Sequence, residues 1–232
     1  MTTERYTEGP YLADNPGWHV EDSPWKAAQI ADMMRAHSLV PDSVCEVGCG
    51  AGDVLLQLHE RLEPHTRFVG YDISPQAIEL ARGRERDRLR FAVGDPIEGS
   101  QERYDLVLVI DVIEHLEDPY TFLRRLRPQA EQTILHIPLD LYVLSLLNPA
   151  WLLHMRDSVG HLHGFVRETA LALLEETGYE ILDARYTDAA GQYPRRTLKE
   201  RALGRARHGV RWLSPDLASR LMGGYSLLVL AR

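Results

Sequence analysis

Apolar residues along this chain alternate between short, nearly continuous runs and longer stretches in which they recur at helical spacing. The short runs are rich in β-branched residues and predict buried strands, at 44–47, 67–72, 89–95, 104–111 and 132–138. The stretches between them carry apolar side chains three and four positions apart, which predicts amphipathic helices. Because strands that alternate with helices build right-handed βαβ units, the pattern predicts an α/β fold with a parallel sheet.

Cap signals predict where two helices begin, and the rhythm changes in the last third of the chain. Ser23–Pro24 and Ser74–Pro75 each offer a serine as N-cap and a proline in the first helical turn. An apolar insert at 139–160 then interrupts the alternation, and a basic segment at 194–211 precedes a terminal strand at 225–232. These additions to the α/β pattern predict a region that is specific to this chain.

Length and composition favour a single globular domain over residues 1–232, with a polar N-terminal arm at 1–25. The net charge of −8 does not favour general binding to nucleic acid, and no segment predicts a membrane span. The two cysteines, Cys45 and Cys49, flank a predicted turn and are expected to be reduced thiols. We therefore expect a cytoplasmic protein.

A glycine-rich turn follows the first predicted strand of the sheet. Gly48, Gly50 and Gly52 occupy alternate positions, which lets the backbone turn sharply and approach a ligand closely. Their spacing differs from the G-x-G-x-x-G of dinucleotide sites, and the preceding Glu46 favours a ligand that carries positive charge. Asp72 ends the next strand and could accept hydrogen bonds from ribose hydroxyls.

Five segments together resemble the class I S-adenosylmethionine (SAM) dependent methyltransferase superfamily. They are "VCEVGCGAG", "GYDIS", "GDP", "YDLVLVIDVIEHLEDP" and "HLHGFVRETALALLEETGYEIL", and the resemblance runs from about residue 40 to 188. The resemblance implies a Rossmann-like, doubly wound sheet of seven strands, mostly parallel, with an antiparallel last strand. It also implies SAM as the cofactor.

The same resemblance implies which residues hold the cofactor. The glycine turn would cradle the methionine part and the ribose, Asp72 would hold the ribose, and an acid would border the adenine. Cys49 would be a small turn residue rather than a nucleophile. The implied cofactor-binding residues are Glu46, Gly48, Cys49, Gly50, Gly52, Asp72, Ile73, Asp95, Pro96, Ile110 and Asp111.

A second set of polar residues directly follows the fourth predicted strand. Asp111, Glu114 and His115 have the spacing D-x-x-E-H, which on a helical turn would bring them to one face. This is similar to a metal-binding pattern of ubiquinone-pathway O-methyltransferases and of small-RNA 3′-end methyltransferases, in which His161 would be the later ligand. Asp111 stands where a glutamate is common in that pattern.

Two functional interpretations of this cluster stay open, beside a third in which its residues are purely structural. In one, Asp111, Glu114, His115 and His161 bind a divalent metal such as Mg²⁺ or Mn²⁺. In the other, His115 is a metal-free base or substrate contact, with Glu114 and His161 beside it. In both, Glu114, His115 and His161 are the candidate catalytic residues.

The function expected from the resemblance is SAM-dependent methyl transfer to a small-molecule acceptor, at oxygen. The arm, the insert at 139–160 and the basic segment would form the acceptor pocket. One alternative is an RNA 3′-end methyltransferase, against which the net charge of −8 argues. Another is a NAD-dependent oxidoreductase, against which the glycine spacing argues. A non-catalytic SAM-binding protein is a third.

Overall fold

A seven-stranded sheet with helices on both faces forms the centre of the protein. The computed structural model describes residues 17–18, 20–97, 102–192 and 198–232. The strands are β1 (Ser43–Val47), β2 (Arg67–Asp72), β3 (Leu89–Val93), β4 (Tyr104–Ile110), β5 (Ala130–Pro138), β6 (Ile181–Thr187) and β7 (Ser226–Ala231). The helices are α1 (Ser23–Ala36), α2 (Asp53–His59), α3 (Pro75–Arg82), α4 (Pro119–Leu126), α5 (Val143–Leu146), α6 (Pro149–Ser158), α7 (Arg167–Glu176), α8 (Leu198–Leu213) and α9 (Pro215–Met222).

The strand order is β3-β2-β1-β4-β5-β7-β6. Strands β1 to β5 pair in parallel, and β7 is antiparallel to both of its neighbours, β5 and β6. The α/β, seven-stranded, doubly wound sheet with an antiparallel last strand is thereby confirmed. The strand order reverses between β1 and β4, and ligands of such sheets bind beyond the carboxyl ends of the strands at that point.

Each strand sends alternate side chains to opposite faces, and each face has its own apolar core. Cys45 and Val47 of β1 pack with α4 and α7 on one face, whereas Val44 packs with α1, α2 and α3 on the other. Glu46 therefore faces the α1 side, where it is buried. The two cores hold the carboxyl edge of the sheet rigid and position the functional side chains there.

Two helix-start predictions had different outcomes. Ser74 is the N-cap of α3, and its side chain accepts a hydrogen bond from Ala77 N at 3.3 Å, as predicted. The prediction for Ser23 was wrong by one residue, because α1 begins at Ser23 and Asp22 holds the cap position. Asp22 makes no cap bond from its side chain, which instead pairs with Lys26 at 3.0 Å.

The D-x-x-E-H segment also differs from the expected helical turn. Residues Ile113–His115 form a 3₁₀ turn, and helix α4 begins only at Pro119. Asp111 precedes this turn and has a positive φ of 53°, so the helical geometry that would bring Asp111, Glu114 and His115 to one face is not formed.

The segments that depart from the alternation of strands and helices contain further helices around the carboxyl edge of the sheet. The insert at 139–160 contains α5 and α6, and the basic segment contributes α8. Most of the predicted arm at 1–25 lies outside the described residues, as does the start of the basic segment. Of the helices described, none has the length and apolar character that a membrane crossing requires.

A substitution at Gly52 of the glycine turn tests how tightly this architecture is packed. Gly52 has φ +81°, and a Cβ there would lie 2.5 Å from the Phe91 ring. We expect Gly52→Ala to lower the free energy of unfolding by roughly 3 kcal/mol, from backbone strain and overpacking together. Gly83→Ala is the control, because its φ is −63° and the nearest atom lies 3.6 Å away. Urea unfolding should show Gly83→Ala to be neutral or slightly stabilised. Equal losses in both variants would contradict this account.

Candidate active site

The glycine turn leaves β1 at the carboxyl edge of the sheet and wraps around the end of β2. Gly48, Gly50 and Gly52 all have positive φ, at 75°, 53° and 81°. The Gly48 and Cys49 amides donate to Tyr71 O, and Gly50 N donates to Asp72 Oδ2 at 2.9 Å. These bonds fix the turn against β2, so the carboxylate of Asp72 and the glycine backbone form one unit.

Two cavities open at this edge of the sheet. The smaller, of about 310 Å³, is lined by Asp72, Ile73 and Asp95 at the ends of β2 and β3. The larger, of about 640 Å³, extends over β4, β5 and β7 and reaches the helices of the insert. Residues that line both cavities are Trp18, Gly48, Asp111 and His115. A ligand longer than either cavity could therefore pass from one into the other beside the glycine turn.

The predicted cofactor residues divide between these cavities. Glu46, Cys49, Gly50, Gly52 and Ile110 line the larger one. Ile73 is 42% exposed at the smaller one, and Asp95 accepts a hydrogen bond from Ile97 N at 2.9 Å beside it. Pro96 is buried next to Asp95 and lines neither of the two.

The buried side chains of the turn differ in what they can do. The thiols of Cys45 and Cys49 are free and buried. Burial raises the pKa of the Cys49 thiol well above its usual range, which disfavours a thiolate. Burial also raises the pKa of Glu46, although the nearby Lys26 opposes this. Among the described residues, none donates a hydrogen bond to Glu46 Oε2.

Asp111 is the centre of a network that joins helix α1 to three strands. Its Oδ2 lies 2.7 Å from Lys26 Nζ, and its Oδ1 lies 2.5 Å from His136 Nδ1. The His136 Nε2 lies 3.0 Å from Thr187 Oγ1 on β6. Burial opposes ionisation of Asp111, but His136 and Lys26 outweigh it and hold the pKa of this carboxyl well below its ordinary range. Asp111 has φ +53°, a strained conformation that persists because these partners hold it.

A second network brings Glu114, His115 and His161 together. One ligand atom from each of the three lies within 4.8 Å of the other two. The segment 160–163 docks on the 3₁₀ turn through its backbone, because Leu162 N and His163 N donate to Glu114 O at 2.7 and 3.1 Å. Residues 48 and 49 positions apart in sequence are thus joined beside the larger cavity.

Hydrogen bonds orient both imidazoles of this cluster. His115 Nδ1 lies 3.1 Å from Gly160 O, and His161 Nδ1 lies 2.5 Å from Asp140 Oδ2. Because a carbonyl and a carboxylate only accept, the proton of each neutral ring sits on Nδ1, and Nε2 carries the lone pair.

Glu114 completes this cluster as a buried acid. It is fully buried, and neither of its oxygens accepts a hydrogen bond from any residue in the described part of the chain. Burial, and then the charge of Asp111, raise the pKa of Glu114 well above its ordinary range. A polar group in this situation is expected to have a ligand or metal partner.

Asp111 is placed apart from this cluster, although the D-x-x-E-H spacing grouped it there. Both of its oxygens are engaged by Lys26 and His136. His163 is also separate, because its Nε2 bonds to Leu116 O at 2.8 Å. The structure therefore groups two histidines and one glutamate, rather than the four predicted ligands.

Sequence reasoning missed two charged residues that line the larger cavity. Asp140 lies two residues after β5, at the edge where carboxylates of other strands gather, and this position was a usable signal. Arg207 of α8 is buried in the cavity wall, and nothing in the sequence distinguishes it from the other arginines of the basic segment.

Comparison with known proteins gives this geometry a context. Residues 45–130 match the family model described as a methyltransferase domain. The ajmaline N-methyltransferase of Rauvolfia serpentina is 31% identical over 93 residues, which are 37% of this chain and 31% of the plant enzyme. The chain spans less than half the length of the curated relatives it matches.

Solved structures share the fold over most of the chain. The plantazolicin methyltransferase BpumL, bound to S-adenosylhomocysteine (SAH), superposes with a TM-score of 0.65 and 17% identity, covering 100% of this chain and 93% of that one. The magnesium protoporphyrin IX methyltransferase of Synechocystis, also with SAH, has a TM-score of 0.60 and 18% identity, covering 90% and 82%. At these identities the likeness establishes the fold.

The network around Asp111 predicts a measurable contribution to stability. We expect Lys26→Met to lower the free energy of unfolding by about 2 kcal/mol at neutral pH, because it leaves Asp111 and Asp22 without their cation. The folded-state pKa of Lys26 is raised, because the two carboxylates outweigh burial, and that of Asp111 is lowered. The loss should therefore be full between the ordinary pKa values of 3.8 and 10.5 and shrink below that window as Asp111 becomes protonated.

Arg35→Met provides the control for this substitution. It breaks the exposed pair of Arg35 with Asp32 at 2.7 Å, which solvent screens. Thermal and urea unfolding should show no measurable change in this variant. A Lys26→Met protein as stable as the wild type at pH 7 would contradict the assignment.

Proposed function

We propose that this chain is a class I SAM-dependent methyltransferase that transfers a methyl group from SAM to a hydroxyl oxygen of a small molecule. One observation carries the proposal. The glycine turn and the Glu114–His115–His161 cluster line the same larger cavity, and Gly48 of the turn and His115 of the cluster line the smaller cavity as well. A cofactor site and a group able to activate an acceptor thus meet at one place.

The residues at the turn fit SAM. Three glycines at positive φ line the larger cavity with backbone, and the turn has no room for a side chain at Gly48, where a Cβ would lie 2.5 Å from Val112 Cγ2. Glu46 has a buried oxygen that lacks a hydrogen-bond donor in the described residues, and the cofactor's amino group would supply one. Asp72 would hold the ribose, and Ile73 and Asp95 would border the adenine in the smaller cavity.

When bound, SAM supplies an electrophilic methyl group on a sulfonium sulfur. The protein must align the acceptor oxygen with that methyl group and remove the acceptor's proton. The acidic side chains near the turn, Glu46 and Asp111, favour a cationic ligand there. Methyl transfer removes the positive charge from the cofactor's sulfur. The carboxylates of Glu46 and Asp111 therefore serve chiefly to bind the cofactor.

His115 is placed to take the acceptor's proton. Its neutral ring carries the lone pair on Nε2, because Nδ1 bonds to Gly160 O. His161 and Asp140 lie beside it in the same cavity, and the two imidazole centroids are 5.0 Å apart. A hydroxyl needs this activation more than a neutral amine does, and this difference supports oxygen as the acceptor atom. The N-methyltransferase activity in the names of some relatives belongs to those proteins.

The same three residues fit a divalent cation. A buried carboxyl without a hydrogen-bond partner, beside two imidazoles whose Nδ1 atoms are anchored, is a donor set suited to Mn²⁺, Fe²⁺ or Zn²⁺ and less to Mg²⁺. Glu114, His115 and His161 would hold the ion, which would lower the pKa of a bound hydroxyl. Without a cation, His115 acts as the base itself.

The larger cavity supports a small molecule as the acceptor. Its volume of about 640 Å³ is in the range of pockets for drug-sized ligands. Tyr142, Trp151 and Met155 of the insert form an apolar wall, and the Tyr142 and Trp151 rings contact each other edge to face at 5.5 Å. A polymer would need an open track of positive charge instead.

The cofactor assignment is tested by SAH binding. We expect Asp72→Asn to weaken SAH by about 1–3 kcal/mol in calorimetric titration, because the ribose loses a charged acceptor. Asp105→Asn is the matched control. Asp105 also accepts two backbone amides, those of Asp42 and Ser43, but it lies at the opposite edge of the sheet. That variant should bind SAH like the wild type. No SAH binding by the wild type, or unchanged affinity in Asp72→Asn, would contradict the ribose assignment.

The metal assignment is tested by Mn²⁺ binding, followed by electron paramagnetic resonance on protein treated with EDTA and dialysed. We expect one Mn²⁺ per chain, lost in Glu114→Gln and in His161→Ala. His163→Ala should keep the ion, because its ring bonds to Leu116 O outside the cluster. A wild-type protein that binds no Mn²⁺, Fe²⁺ or Zn²⁺ would leave His115 as a metal-free base and exclude the metal site.

A further inference from the structure

The far wall of the larger cavity carries a buried arginine that the proposed chemistry does not use. Arg207 of α8 is 7% exposed and lines the cavity together with Tyr225 at the start of β7. Its guanidinium lies over the Tyr225 ring, with Cζ 4.6 Å from the ring centroid. A buried arginine is rare, and it needs partners for a fork of five N–H donors.

The partners in the described part of the chain satisfy this fork only in part. Arg207 forms an ion pair with Asp188 through Nη2. Asp188 is already engaged twice more, because its Oδ2 accepts from Arg211 at 2.8 Å and its Oδ1 accepts from Gly191 N at 2.9 Å. The single carboxylate of Asp188 thus pairs with two arginines, so Asp188, Arg207 and Arg211 together carry one net positive charge.

Tyr225 gives a second, independent sign of a missing partner. The residue is 3% exposed, it lines the cavity, and no described residue hydrogen-bonds to its hydroxyl oxygen. A buried phenol normally has a hydrogen-bond partner. Its hydroxyl and the guanidinium of Arg207 belong to one stacked pair, so a single ligand group with several acceptor oxygens could bind both.

The other cations of the cavity are already balanced. Lys26 lies between Asp22 and Asp111, at 3.0 and 2.7 Å, and His136 also pairs with Asp111. The carboxylates Glu46, Asp111 and Glu114 gather at the β1 and β4 side. The larger cavity is therefore acidic where the cationic cofactor would bind and basic at the β7 side.

We propose that the acceptor carries an anionic group, a carboxylate or a phosphate ester, which Arg207 and Tyr225 bind. This inference rests on the proposed function and names the class of its substrate. Asp111 follows β4 and Tyr225 precedes β7, two strand spacings away, which is roughly 10 Å. The anionic group is therefore a recognition handle, separated from the methylated oxygen by an apolar or aromatic body that packs against the wall of Tyr142 and Trp151.

The turn that precedes β7 shows that this arrangement is tightly built. Gly223 and Gly224 have φ of +67° and +76°. A Cβ on Gly223 would lie 2.4 Å from the Tyr142 ring, and a Cβ on Gly224 would lie 2.5 Å from Arg207 Nη1. The backbone thus passes between the aromatic wall and the guanidinium, and it holds both in place. A positioned arginine of this kind binds carboxylate or phosphate oxygens with defined geometry.

The test uses matched small probes, because the acceptor is not identified. The probes are 4-hydroxybenzoate, phenyl phosphate and the neutral 4-hydroxybenzamide, titrated into the full chain by NMR, with EDTA present and with and without SAH. We expect at least one anion to bind at least tenfold more tightly than the amide, with a preference that weakens as salt rises. Which anion binds better distinguishes a carboxylate handle from a phosphate handle.

Variants then assign the site of binding. Tyr225→Phe keeps the ring under Arg207 and removes only the unpartnered hydroxyl, so it should fold and lose several-fold in anion affinity while amide binding is unchanged. Arg207→Gln should abolish the preference for the anion. Arg211→Gln, which removes the exposed partner of the same Asp188, is the control and should keep it.

The outcomes separate this inference from the proposed function. SAH binding by a wild type that shows no preference for either anion would overturn the anionic handle and leave the methyltransferase function standing. The same holds if Tyr225→Phe and Arg207→Gln keep the full preference. Anion binding without any SAH binding would overturn the proposed function, and with it the identification of the anion as a methyl acceptor.

Discussion

The ion pair of Lys26 with Asp111 is the interaction on which the site depends. Asp111 ends the strand at which the sheet order reverses, and Lys26 belongs to the first helix, so the 2.7 Å contact ties the beginning of the chain to the centre of the sheet. From Asp111 the contacts continue through His136 to Thr187, and so across β4, β5 and β6. Without that cation, the partly buried carboxylates of Asp22 and Asp111 would lose the positive charge between them, and the strained conformation of Asp111 would be held by His136 alone.

The same network leaves two buried carboxyl groups of the larger cavity with oxygens that lack a partner among the described residues. Lys26 and His136 both pair with Asp111, whereas Glu46 Oε2 and both oxygens of Glu114 accept no hydrogen bond there. Burial raises the pKa of Glu46 and Glu114 and so favours their neutral forms, which a cationic ligand would reverse. A sulfonium ligand, an ammonium group and a divalent cation are all of the sign that would do so. The basic side, at Arg207, requires the opposite sign.

Much of the fold follows from local patterns that the sequence displays. β-branched runs and amphipathic stretches predict the strands and helices, and the Ser74–Pro75 cap sets the start of α3. The position of each turn at a carboxyl strand end then predicts that Glu46, Asp72 and Asp111 share one edge, because parallel strands end together. This part of the site needed no long-range information.

The rest depends on contacts between distant segments, which local patterns do not encode. His161 reaches Glu114 only because backbone amides of the 160–163 segment dock on the 3₁₀ turn, and no periodicity predicts that bond. Asp111 lies outside the cluster because it pairs with Lys26 of α1, although its sequence spacing to His115 predicted that Asp111 and His115 would lie together. Arg207 is one of several arginines in a basic segment, and only the packing of α8 against β7 decides which one is buried.

Local sequence patterns and long-range contacts correspond to two different parts of the proposed chemistry, cofactor binding and acceptor recognition. The segment that matches the methyltransferase domain model, residues 45–130, contains the glycine turn, Asp72 and the Glu114–His115 pair. The features that shape the larger cavity lie beyond it, in Asp140, the aromatic insert, His161 and the Arg207–Tyr225 pair. Binding a common cofactor requires a constant set of contacts, whereas choosing an acceptor requires contacts that differ between enzymes. We therefore expect the acceptor to contact those side chains that long-range packing, rather than a local motif, brings to the carboxyl edge of the sheet.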